Sequence, residues 1–125
     1  MAKWIFLSVS LFVLASCGKQ EAPAGPSDAV LATFNALNAH DSVAFVQSLS
    51  EDKRETYETN PQALSELLGR WKGRHADVSI LSVKNQGDTL ATILYNLKIS
   101  GAETKEHDSL ITRTYFENGE WKHGY

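Results

Sequence analysis

From Val30 onward the apolar residues fall three and four positions apart, and from Val78 onward they fall two apart. The first period belongs to helices and the second to strands. Val30, Leu31, Phe34 and Leu37 share one helical face, with Ser27 or Asp28 as the expected N-cap. Asp41 is the next cap, opening a short helix in which Val43, Phe45, Val46 and Leu49 are the candidates for burial. Residues 50–59 are polar apart from Tyr57 and are expected as an exposed turn of helix or a loop. Asn60-Pro61 then opens a third helix, because Asn caps and Pro needs no amide donor at the first helical position. Its stripe is Leu64, Leu67, Leu68 and Trp71, and Gly69 or Gly73 ends it.

The strand half has the same clarity. Val78 and Ile80 alternate, but Leu81 and Val83 continue out of phase, which predicts a bulge at Ile80-Leu81. Residues 85–88, Asn-Gln-Gly-Asp, turn the chain into a strand over 89–99 with Ala91, Ile93, Tyr95, Leu97 and Ile99 on one face. A third strand is expected over 105–116, and Asn118-Gly119 is a tight-hairpin signal leading to a last strand that carries Trp121. Helices first and an antiparallel meander afterwards predict an α+β domain: three N-terminal helices packed on a curved four-stranded antiparallel sheet.

The head of the chain has a different pattern. Lys3 precedes the apolar run Trp4 to Ser16, which ends in small residues, the layout of a secretory signal peptide. Thirteen helical residues reach about 20 Å, short of a hydrocarbon core roughly 30 Å thick, so a permanent span is not expected. Leu14-Ala15-Ser16-Cys17 resembles the bacterial lipobox. That resemblance implies attachment of diacylglycerol to the sulfur of Cys17, cleavage before it, and acylation of the new amino group. It also implies a cell-envelope location. Gly18 in place of an Asp retention signal favours the outer membrane, facing the periplasm, where the organism has two membranes. Residues 18–26 contain two prolines and two glycines but no large apolar side chain, and read as a tether. The expected organisation is a signal peptide over 1–16, a lipidated cysteine and tether over 17–26, and a folded domain over 27–125.

A second resemblance rests on Phe34-x-Ala36-Leu37-x-x-x-Asp41-x-x-Ala44 and on Gly119-Glu120-Trp121-Lys122 in the final strand. These are similar to small nuclear transport factor 2-like, or cystatin-like, domains of bacterial envelope lipoproteins. The likeness implies helices laid into a bent sheet, with a cone between them as the usual ligand pocket. Enzymatic members of that superfold are generally longer at the helical end and place acids and bases inside the cone.

Charge and chemistry narrow the reading. Without residues 1–16 the chain has 11 basic and 15 acidic residues, a net of −4, which gives no pull toward nucleic acid. With Cys17 the lone cysteine, no internal disulfide is possible. His40, His75, His107 and His123 lack the spacing of a helical zinc pair and are expected at the surface or at edges. No metal or cofactor is predicted, and neither a phosphate cradle nor a nucleophile elbow occurs. Phe34, Trp71, Tyr95, Tyr115 and Trp121 are the candidate pocket or partner surface, with core packing as their competing role; Tyr125 joins Trp121 as a possible terminal contact. The expected function is a membrane-anchored, noncatalytic module that binds a small apolar ligand in its cone or an envelope protein through its sheet. The alternative is a small isomerase- or dehydratase-like enzyme, for which Asp77 is the candidate buried acid and Tyr95 the candidate for orienting a carbonyl.

Overall fold

A computed structural model describes residues 25–124. The expected signal peptide, Cys17, most of the expected tether and Tyr125 lie outside the described residues.

The first helix, α1 (Pro26–Asn38), begins earlier than its Ser and Asp suggest. Gly25 is the N-cap, Pro26 opens the helix, and Asp28 reaches back to accept from the Gly25 amide at 3.1 Å. Asp28 is thus the third helical residue, and the helix with its cap takes in Gly25 and Pro26, which the sequence assigns to the tether. Asp41 does cap α2 (Ser42–Gln47), accepting from the Ala44 amide at 3.0 Å. Phe45 and Leu49 are buried as expected, whereas Val43 is 64% exposed.

Residues 51–59 form a full helix, α3 (Glu51–Thr59), so the described residues hold four helices rather than the three that periodicity predicts. No residue of α3 is buried, which is why periodicity does not reveal it. Glu51 and Asp52 favour its N-terminal dipole, and Glu117 accepts from the Glu51 amide at 3.0 Å. Tyr57 sets its ring edge-on to Phe45 with centroids 5.4 Å apart. The last helix, α4 (Pro61–Arg70), has Asn60 as cap and ends at Trp71. Gly73, at φ 76°, then turns the chain into the sheet.

The strands β1 (His75–Asn85), β2 (Leu90–Ser100), β3 (Lys105–Glu117) and β4 (Glu120–Gly124) form one antiparallel sheet in chain order. The predicted bulge is present, since the β1–β2 register slips between Ile80 and Ser82. A second slip, between β2 and β3, lies between Tyr95 and Leu97; there Ser109 has φ 58° and its amide donates to Asn96 Oδ1 at 2.9 Å. Both bulges flank Tyr95 of β2, and together they bend the sheet across that row. Ala91, Ile93, Tyr95 and Leu97 face the helices and form the core with Val30, Leu37, Phe45 and Leu49. Asn38, the last residue of α1, joins helix to sheet: its side chain bonds the Ala76 amide at 2.8 Å and the Ala76 carbonyl at 2.9 Å.

Candidate functional site

Three of the five aromatic candidates meet inside the bend. Phe34 lies 6.4 Å from Trp71 and 6.1 Å from Tyr95, centroid to centroid, with tilted planes. These separations are those of packed aromatic rings. Burial pushes the Tyr95 phenol above its ordinary range by desolvation. The rings therefore occupy the cone by resting on one another.

The fourth ring there is His123, expected at the surface or at an edge; it does lie on the edge strand β4, but its side chain turns inward, 3% exposed, with its ring 6.5 Å from Phe34. It sits on β4 opposite Thr114, whose β2 neighbour Ala91 is fully buried. Hydroxyls surround it: Thr112 Oγ1 is 3.0 Å from Nε2, and Thr33 Oγ1 is 3.1 Å from Nδ1. The Thr112 hydroxyl also donates to the Gly124 carbonyl at 2.7 Å, and the Thr33 hydroxyl to the Ala29 carbonyl at 3.0 Å. Desolvation lowers the His123 pKa to about 4 and keeps the ring neutral at ordinary pH. Thr33 further contacts the Ser48 hydroxyl at 2.8 Å, and Ser48 donates to the Phe45 carbonyl at 2.6 Å. The His123 backbone completes the junction, donating to Ser48 O at 2.7 Å and accepting from Ser50 at 2.8 Å. One residue thus ties α1, the segment after α2, β3 and β4 together.

Tyr115 does not join the cone cluster, and Trp121 is half-buried against the margin of the core, away from the three packed rings. Thr114 faces the helices, so Tyr115, one residue on, faces the opposite side of the sheet beside Gly124, Ser50 and Lys53. Trp121 is on the helix side, but it packs near the hairpin turn against Phe116, with centroids 5.4 Å apart. It also borders a depression shared with Ala29, Ala32 and Ala44.

Asp77 is a further correction. It pairs with Lys98 between Ala76 and Val78, both of which turn inward, and its side chain is 63% exposed and 3.3 Å from His75 Nε2. The candidate acid therefore stands on the outer face of the sheet, outside the cone; α3 reaches that face only at its β4 side, and the rest of it is helix-free. The same face carries Leu94 opposite Ile111, the latter 69% exposed. Lys84 and Arg113 lie on one side of that apolar row; on the other are Asp77, Glu106 and Asp108, with Lys98 among them, so that side is acidic in sum.

No protein-family model matches the chain, and no curated protein sequence does either. Solved structures do. A SEC-C motif containing protein from Rhodopseudomonas palustris is similar at TM-score 0.64 and 14% identity, over 84% of this chain and 79% of that one. A nuclear transport factor 2-like protein of unknown function from Shewanella oneidensis matches at TM-score 0.54 and 13% identity, over 79% and 94% of the two chains. A protein of unknown function with a cystatin-like fold from Nostoc punctiforme matches at 0.55 and 14%, over 78% and 81%. Helices laid into a sheet bent at Tyr95 and this set of neighbours lead to one statement: the domain has the nuclear transport factor 2-like, cystatin-like fold.

Proposed function

We propose that the chain is an envelope lipoprotein, anchored through Cys17, whose domain is a noncatalytic protein-docking module. The observation that carries the docking reading is the filled cone. Phe34, Trp71 and Tyr95 rest on one another there, and the His123 ring nitrogens are engaged by Thr33 and Thr112. The helix-free sheet face, by contrast, offers an apolar row at Leu94 and Ile111 between oppositely charged ends. Such a row with a charged rim suits a protein partner more than a small ligand. The membrane part of the reading draws on Leu14-Ala15-Ser16-Cys17; two or three acyl chains, each buried methylene contributing about 0.8 kcal/mol, hold a protein on a bilayer.

Native mass spectrometry of the lipoprotein extracted from its own envelope tests both parts. The expected result is acyl mass on Cys17 and a protein partner retained by the wild type and by Tyr95→Phe, but lost with Ile111→Glu. A small non-lipid molecule retained by the wild type and released by Tyr95→Phe would overturn the docking reading. Membrane retention of Cys17→Ser would overturn the anchor.

A further inference from the structure

The start of α1 and the turn between β3 and β4 lie at the same end of the domain. Ala29 and Ala32, in the first turns of α1, border one depression with Glu120, Trp121 and Lys122. Further along the helix Thr33 meets His123, and at its far end Asn38 meets Ala76 and Trp71. The helix therefore runs away from the hairpin, and the chain enters the domain beside it. Eight peptide steps separate Cys17 from Gly25, at most about 29 Å when fully extended. Whatever holds Cys17 thus keeps this end of the domain close.

That end carries an aromatic pair. Phe116 and Trp121 are direct cross-strand partners whose rings meet edge to face, and Phe116 is 41% exposed. Asn118 at φ 51° and Gly119 at φ 83° close the two-residue turn beyond them. Indole rings favour the headgroup region of a bilayer, where the ring is shielded and its N–H remains solvated. The neighbouring charges do not add a basic patch: Lys122 pairs with Glu120 at 2.9 Å, and Glu117 bonds the start of α3. A zwitterionic surface fits this acidic rim, whereas an anionic one would repel it.

We propose that the β3–β4 hairpin, through Phe116 and Trp121, is the face that rests on the zwitterionic lipid surface to which the chain is tethered. This builds on the Cys17 anchor proposed above. The tether raises the local concentration of lipid at the hairpin, so two aromatic side chains suffice for contact that free protein would not sustain. The helix-free face then stands beside the membrane, accessible to a partner.

The test uses the full lipidated chain in phosphatidylcholine–phosphatidylethanolamine vesicles with brominated acyl chains, which quench nearby tryptophan. Flotation first establishes anchoring. Trp71 and Trp121 are the tryptophans after residue 16, and Trp71 is buried at the far end of α1, so quenching of Trp121 removes about half of the emission. The expected result is that loss in the wild type, none in Trp121→Phe, less in Phe116→Ser, and less when phosphatidylglycerol replaces part of the lipid. Flotation without quenching, or quenching unchanged by Phe116→Ser, overturns the hairpin contact while the anchor stands. Failure to float removes the anchor, and the contact with it.

Discussion

Thr114 is fully buried, and its hydroxyl has no hydrogen-bond partner among the described residues. It stands opposite His123, whose ring takes its hydroxyl contacts from Thr112 and Thr33 instead. A buried hydroxyl without a partner forfeits its hydration for nothing, so an apolar side chain of the same shape removes the penalty. Thr114→Val is expected to stabilise the domain by about 1 kcal/mol, read as a rise in melting temperature of roughly 4–8 °C. Thr112→Val is the contrast, because it withdraws the bonds to both His123 and Gly124 and is expected to destabilise by about 1–3 kcal/mol. Calorimetry on the two variants checks both signs. Equal effects would mean that the Thr114 hydroxyl has a partner of its own.

The strand β4 is held by two glycines for different reasons. Gly119 has φ 83° with open space around the position of a Cβ, so Gly119→Ala meets only backbone strain, about 1 kcal/mol. At Gly124 a Cβ would overlap the Tyr115 ring, and Gly124→Ala is expected to cost about 1–3 kcal/mol through overpacking. The distinction is measurable in a double-mutant cycle. Tyr115→Ala should rescue Gly124→Ala and leave the cost of Gly119→Ala unchanged; additive losses at Gly124 would place the strain elsewhere. The turn is readable from Asn118-Gly119, because the φ it needs is a property of those two residues. The close approach at Gly124 is not, since it depends on where another strand sends its side chain.

Because His123 joins both layers, its ionisation is linked to the stability of the entire domain. Folding lowers its pKa from 6.5 to about 4, so between those values the unfolded chain binds a proton that the folded one does not. Stability therefore has its full contribution above about pH 6.5, falls as the pH drops, and levels off below about 4. The integrated loss is about 3 kcal/mol. Urea unfolding at a series of pH values should show the wild type losing that much more than His123→Gln between pH 7 and 4. Parallel curves would show that another group governs the acid limb.

Local chemistry foretold much of this architecture. Asp41 and Asn60 cap helices, the out-of-phase Leu81 marks a bulge, and the switch of apolar period at Gly73 separates helices from strands, because each depends on residues a few positions apart. The convergence of Phe34, Trp71 and Tyr95 followed from periodicity and the expected fold together. Assembly in space settled the rest. α3 has no apolar stripe to read and borrows a cap from Glu117. Register puts Tyr115 on the face away from the cone and turns Asp77 to solvent. His123 is buried because Thr33, 90 positions earlier, and Thr112 on the neighbouring strand supply hydroxyls to its ring. A bond across that separation is decided by packing, and no window of sequence contains both of its ends.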